Sequence, residues 1–134
     1  MNGDLTGYAA GLGNITQGNV NGGQEGFINL VFGSVNGVQG GFINYTEGAV
    51  NGGQGGALNF SKGDLTGLQF GAGNCTAACN GVQVGFINHS KSLNGLQLGI
   101  ANITGELGGL QIGFFNYASG KESVPFMPFV NWNW

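Results

Sequence analysis

Residues 94–102 and 108–116 read NGLQLGIAN and GGLQIGFFN, two consecutive copies of the pattern Gly-x-Gln-x-Gly-x-x-Asn. The pattern occurs eight times with almost no interruption, and only the first copy departs from it, with Ala9 in place of the Gln. Successive copies are fifteen residues apart up to Asn74 and fourteen residues apart after it. A fixed period of this kind is typical of repeat proteins, in which each unit packs on its neighbours.

Two amide columns run through the array. The Asn column is Asn14, Asn29, Asn44, Asn59, Asn74, Asn88, Asn102 and Asn116, and the Gln column is Gln24, Gln39, Gln54, Gln69, Gln83, Gln97 and Gln111. A unit of this length is too short for a helix pair, and apolar residues punctuated by Gly and Asn favour strands. In a stack of parallel strands, identical amides can hydrogen-bond from one unit to the next. We therefore predict that both columns form structural ladders.

The predicted fold is all-β. Residues 1–118 are expected to form a β-solenoid of about eight coils with parallel stacking, followed by a non-repeat aromatic tail at 119–134. The alternative is an antiparallel meander or up-and-down barrel, in which each repeat is one strand and a hairpin turn. Side chains of a meander should drift toward a period of two repeats. The columns show no odd and even alternation, which favours stacked coils.

Counting by two along a strand separates a Gly, Gln, Gly face from an apolar face. The apolar face includes Phe70, Val84, Leu98 and Ile112. The pattern leaves open which of the two faces lines the core. An exposed, nearly uncharged strip of this length is unusual on a monomer, so it predicts self-association.

Two further apolar columns are predicted to fill a thin core. The column directly before the Asn column consists of Ile28, Ile43, Leu58, Ile87 and Phe115. The column that follows the charged residues consists of Val20, Val35, Val50, Leu65, Leu93 and Leu107.

The tail is rich in aromatic residues that are also candidates for self-association: Phe126, Phe129, Trp132 and Trp134. Two roles fit it equally. It can cap the last coil, whose open strand edge would otherwise pair with another chain. It can instead dock as an arm on a neighbouring subunit.

Cys75 and Cys79 flank the one shortened corner of the repeat. A disulfide between them is one interpretation if the compartment is oxidising, although closing so short a loop should stabilise the fold only modestly. Two small residues filling apolar columns are the other. Their spacing is not that of a CxxC motif, and with one His in the chain we expect no metal site.

Charged residues make up 7% of the chain and the net charge is −3. Nearly all of them lie between the Asn of one unit and the Leu or Val of the next, which predicts one solvated corner. With three Lys and no Arg, the chain is not expected to bind nucleic acid. No apolar run approaches the length of a transmembrane segment. Catalytic and cofactor-binding residues are not predicted, because no triad, carboxylate pair or phosphate loop is defined.

Units such as NGLQLGIANITG and GGLQIGFFNYASG resemble the GLQ-G-x-x-N surface repeats of some bacterial proteins, over residues 5 to 118. The resemblance implies an extracellular or cell-surface protein of a bacterium. From the residues, we expect a self-assembling structural protein, a subunit of a filament or surface layer whose partners are copies of itself. The alternative is a surface adhesin, or a module with a flat Gly and Gln face that binds carbohydrate or ice.

Overall fold

The computed structural model of the protein describes residues 1–122 and 124–133, and the regular structure of these residues is all β. The strands are β1 (Leu5–Thr16), β2 (Val20–Val31), β3 (Val35–Thr46), β4 (Val50–Gly55), β5 (Leu58–Ser61), β6 (Leu65–Phe70), β7 (Gly73–Val84), β8 (Ile87–Leu93), β9 (Leu96–Leu98), β10 (Ala101–Leu107), β11 (Leu110–Ala118) and β12 (Phe126–Trp132). Trp134 lies outside the described residues.

The strands stack as a parallel β-solenoid. Paired strands from β1 to β11 run in the same direction, and equivalent positions of successive repeats are partners, as in Asn14 with Asn29 and Asn29 with Asn44. The coils, numbered 1 to 8, begin at Leu5, Val20, Val35, Val50, Leu65, Cys79, Leu93 and Leu107. The predicted solenoid is therefore confirmed. The antiparallel alternative is wrong, because a meander would reverse the strand direction at each repeat.

Each coil folds into two walls, as coil 3 illustrates. We call residues 35–41 the long wall and residues 43–46 the short wall. Phe42, between them, is skipped by the pairing register and marks the apex of the coil. Residues 47–49 form the polar corner, which leads to the next coil. The inward side chains of the two walls meet, since Gln24 of one long wall donates to Thr16 of a short wall at 2.7 Å.

The interior is mostly polar. Every coil sends inward one Leu, Val or Cys at the start of the long wall, the Gln or its substitute, the Asn, and a Thr, Ser, Val or Ala at the end of the short wall. The Gly, Gln, Gly face is thus the inner face. The column that begins at Val20 is buried as predicted.

The prediction that the column before the Asn fills the core is wrong. Ile28, Leu58, Ile87 and Phe115 are exposed, and Ile43 is partly exposed. The physical reason is strand alternation, since each of these residues directly precedes an Asn whose side chain points inward. Much of the apolar content of the chain consequently lies on the outside.

Candidate self-association surface

The Asn and Gln columns both form continuous ladders, with opposite polarity. Each Asn donates to the Asn of the following coil at 2.8 or 2.9 Å. Each Gln from Gln39 onward donates to the Gln of the preceding coil at 2.7 to 3.3 Å. Among the described residues, no buried side-chain nitrogen or oxygen lacks a partner. The buried polar side chains therefore satisfy their hydrogen bonds within the protein, as the burial of amides requires.

The Gly column that comes two residues after the Gln, represented by Gly41 in coil 3, explains how the Asn ladder fits at the apex. A Cβ on Gly41 would overlap the carbonyl oxygen of Gly26 and lie 2.8 Å from Nδ2 of Asn29. This nitrogen already donates to the carbonyl of Gly40 at 2.9 Å, so the backbone of one coil directly contacts the amide of the coil before it. Glycine is needed here for close approach between coils.

From its fourth residue onward, the outward surface of the long wall is apolar in coils 5 to 8. Phe70, Val84, Leu98 and Ile112, the residues predicted for self-association, form one outward column in coils 5 to 8. Phe70 is 60% exposed, which is far more than an ordinary folded chain leaves of a Phe side chain. The charged residue of this column is Glu25 in coil 2. Its carboxylate accepts a hydrogen bond from the Tyr8 hydroxyl. This bond is the main cause of the raised pKa of Tyr8.

The apex and the short wall extend the apolar surface to the other side of the coil. The exposed large residues of these two regions are Leu12, Ile15, Phe27, Ile28, Phe42, Leu58, Phe60, Phe86, Ile87, Ile100, Phe114, Phe115 and Tyr117. Aromatic rings stack along the columns, with centroids 5.0 Å apart for Phe27 and Phe42 and 5.6 Å apart for Tyr45 and Phe60. Because the two walls meet inside, their apolar outer surfaces face in opposite directions.

Charge is confined largely to the polar corner, as predicted. Asp4, Glu47, Lys62, Asp64, Lys91, Glu106 and Glu122 are all exposed there. Lys62 and Glu47 approach to 3.6 Å, a contact between exposed groups that contributes little to stability.

A polar row on the outside was missed by the sequence reasoning. Asn21, Asn36 and Asn51 of coils 2 to 4 are exposed and joined by hydrogen bonds of 3.0 Å. Thr66, Asn80 and Asn94 continue this exposed Asn row in coils 5 to 7. The row could have been predicted from the sequence, because in coils 2 to 7 it is the residue directly after the inward Val, Leu or Cys.

The tail closes the last coil. Strand β12 pairs antiparallel with β11, and Asn131 extends the Gln ladder by donating to Oε1 of Gln111 at 3.1 Å. Lys121 donates to Oδ1 of Asn131 at 2.8 Å. Among the predicted tail residues, Phe126, Phe129 and Trp132 remain exposed on this cap. The capping role fits the described residues, whereas an arm free to dock elsewhere does not.

Of the two interpretations of the cysteines, the disulfide is not formed, and both thiols are free. Cys75 follows the inward Asn74 and points outward, where its Sγ lies 3.5 Å from Nδ1 of His89. Cys79 occupies the buried column that begins each long wall, between Leu65 and Leu93. The two thiols therefore lie on opposite sides of the strand. Burial raises the pKa of Cys79 to about 11 and also raises that of Cys75, which Lys91 partly offsets.

No group of three His, Cys, Asp or Glu side chains in residues 1–122 and 124–133 is arranged to hold a metal ion. In the same part of the chain, no helix is long and apolar enough to cross a membrane.

No protein-family model, curated protein sequence or solved structure matches this chain. The resemblance to bacterial surface repeats therefore stays a prediction that depends on the repeated motif alone.

Proposed function

We propose that this protein is a structural subunit that assembles with copies of itself into a filament or layer. The observation that carries the proposal is the inverted polarity of the solenoid. Its Gln and Asn ladders lie inside and no buried polar side-chain atom of the described residues lacks a partner, whereas Phe, Ile, Leu and Val side chains cover much of the apex, of the short wall and of the long wall in coils 5 to 8. Removing a Val, Leu, Ile or Phe side chain from water contributes about 1.5–3 kcal/mol, so pairing of such walls is strongly favoured.

The two walls favour open-ended growth over a closed pair. A neighbour on the long wall leaves the short wall of the same coil uncovered, because the outer surfaces face in opposite directions. A second neighbour can then add on the other side, and heterologous contacts that do not close generate filaments or layers. The charged corners remain in water in such an assembly.

The two ends of the stack differ. The cap strand β12 occupies the end at coil 8, and Asn131 supplies the last amide of the Gln ladder. At the other end, β1 pairs only with β2 among the described strands, so most of its outer backbone edge is open. An open strand edge can pair with another chain. We therefore assign assembly to the walls and to the edge of β1, and not to the capped end.

We also propose that the assembly lies outside the cell, at a bacterial surface. This part of the proposal follows from the resemblance of residues 5 to 118 to surface repeats. Sparse charge is compatible with dense packing in such a layer, where like charges would repel.

Electron microscopy and sedimentation velocity of the purified protein test the assembly. The informative variant is Leu98→Lys with Ile112→Lys, which puts two charges on the long wall without touching the interior. Its matched control is Ala78→Lys with Ser92→Lys, in the polar corner at the position that the exposed Glu106 holds. We expect the native chain and the control to form filaments or sheets, and the wall variant to lose them. Monodisperse monomers of the native chain at high concentration would overturn the proposal.

A second candidate function is a binding module for a regular surface such as a carbohydrate or ice. The Gln side chains are buried and cannot form the expected ligand face. The exposed Asn row offers amides at the strand spacing of about 4.8 Å instead. Glycan-array binding or inhibition of ice recrystallisation that is lost on Asn36→Lys with Asn51→Lys would favour this function, and no activity in either assay would remove it.

A further inference from the structure

An aromatic ridge stands on the apex of coils 2 and 3. Phe27 and Phe42 stack with ring planes 1° apart, and their side chains are 56% and 51% exposed. Nothing in the described part of the chain covers the outer edge of this ridge. A rigid pair of exposed rings is the kind of anchor that fills a pocket at protein interfaces.

The same apex has a notch in coils 4 and 5. Ala57 and Ala72 occupy the positions that Phe42 and Phe86 hold in the coils on either side. Beside Ala72 opens an apolar groove of about 590 Å³ that extends from Gly56 to Ile100, with Phe70 and Phe86 among its walls. The ridge and the notch are therefore adjacent features of one edge, and the groove continues from the notch as far as coil 7.

We propose that the ridge of one copy docks into the notch of a second copy around a two-fold axis. The axis passes through the apex between coils 3 and 4, perpendicular to the stack. It places Phe27 of one copy over Ala72 of the other, and Phe42 over Ala57. The contact occurs twice, because a two-fold interface uses the same patch on both subunits. This inference rests on the proposed self-assembly and adds a contact at the apex, which leaves both walls free for further growth.

The spacing of the side chains favours a second copy as the occupant. The notch repeats at the coil spacing of about 4.8 Å, and the ridge has the same spacing because it belongs to the same kind of stack. The side chains of the groove are apolar, so an inserted polypeptide backbone would lose hydrogen bonds there, whereas Phe rings would not. Glu25 near this edge is already bonded to Tyr8.

Disulfide trapping tests the register. In a background of Cys75→Ser and Cys79→Val, the pair Phe27→Cys with Ala72→Cys should oxidise to a covalent dimer at low protein concentration. The two sites are three coils apart in one chain, about 14 Å at the coil spacing, which exceeds the reach of a disulfide. A bond must therefore join two copies. The control pair is Phe27→Cys with Phe114→Cys, because Phe114 is an exposed apex residue of coil 8, outside both the groove and the coils 1 to 6 that the two-fold axis pairs.

Filling or removing the features provides a second measurement. Ala72→Phe fills the exposed notch, Phe27→Ala with Phe42→Ala removes the ridge, and Phe114→Ala removes an exposed apex ring outside the contact. We expect the first two variants to raise the dimer Kd at least tenfold in sedimentation velocity, about 1.4 kcal/mol, and the third to leave it unchanged. Circular dichroism checks that each variant keeps its β structure.

The outcomes separate this inference from the proposed function. If the native chain assembles but both cysteine pairs crosslink equally and Ala72→Phe dimerises like the native chain, the register is wrong while self-assembly stands. If the native chain stays monomeric, both fail. If long-chain lipid protects Ala72→Cys from alkylation and a second copy of the protein does not, the occupant is a lipid and the inference is overturned.

Discussion

The hydroxyl of Thr46 on the short wall donates a hydrogen bond of 2.8 Å to Oε1 of Gln39 on the long wall of the same coil. This bond joins the two walls through polar atoms, at a place where most folded domains would pack apolar side chains. Gln54 of the next coil donates to both of these atoms, at 2.8 Å and 3.2 Å. The fold is thus held across its interior by an amide and hydroxyl network.

Removal of one Gln side chain from the Gln ladder should lower the stability of the fold. In Gln54→Ala, Nε2 of Gln69 loses the acceptor that it contacts at 2.7 Å and keeps only a 3.4 Å bond to the carbonyl of Cys75, while Gln39 keeps its bond from Thr46. A buried donor left with one long bond, together with the lost bonds of Gln54, should lower the free energy of unfolding by about 2–4 kcal/mol. Urea unfolding followed by circular dichroism measures the change.

Asn51→Ala is the control for Gln54→Ala. Asn51 also donates to an amide one coil away, at 3.0 Å to Asn36, but it is exposed and water can replace the bond. The expected change is within about 0.5 kcal/mol. Equal losses in the two variants would contradict a stabilising role for the interior ladder.

Adjacent glycines should respond in opposite ways to alanine. The Cβ of Gly56→Ala would overlap the carbonyl oxygen of Gly41 and lie 2.9 Å from Nδ2 of Asn44, so the stack must shift. We expect a loss of about 3 kcal/mol or more. A Cβ at Gly55 meets nothing within 4 Å, and Gly55→Ala should be neutral or stabilising by up to about 1 kcal/mol. Thermal unfolding of both variants checks the contrast, and similar midpoints would contradict it.

The repeat period was sufficient to predict parallel stacking and both amide ladders. Residues at the same position of every unit must coincide when coils stack, so the columns of Asn and Gln define the register without further information. The solvated corner followed from the same columns, because Glu47 and Lys62 occupy equivalent positions.

The inner face could not be decided from the pattern, because neither strand face carries enough charge to identify it as solvated. Hydrophobicity favoured the wrong residues for part of the core, as Ile43 and Leu58 show. The close approach of Gly41 to the preceding coil, with the Asn amide at its side, explains why the Gly and Gln face is inside. For the cysteines the signal was available, since Cys79 is equivalent to Leu65 and Cys75 directly follows an inward Asn.

The cap should stabilise coil 8 through Asn131. This buried side chain accepts from Lys121 and donates to Gln111, so Asn131→Ala removes both bonds and leaves Oε1 of Gln111 without that donor. We expect amide hydrogen exchange in β11 to accelerate, with a loss of about 1–3 kcal/mol in local stability. Asn133→Ala, at an exposed position of the same tail, should leave exchange unchanged. Uniform protection of β11 in both variants would contradict a capping role for Asn131.

The buried thiol of Cys79 should make stability depend on alkaline pH. Burial raises its pKa from 9.0 to about 11 in the folded chain, so the folded state holds the proton more tightly than the unfolded chain does. A group with a raised folded pKa contributes its full stability below the unfolded value and loses it as the pH rises toward the folded value. Stability should therefore fall between about pH 9 and pH 11.

Cys79→Val isolates this effect, because Val occupies the equivalent position in coils 2 to 4 and does not titrate. Urea unfolding of both proteins at about pH 8 and about pH 10.5 gives the comparison, in which the other titrating groups cancel. The native chain should lose more stability than Cys79→Val over this interval. If the two losses are equal, the Cys79 thiol does not hold its proton against the unfolded state, and the tight burial of this column is contradicted.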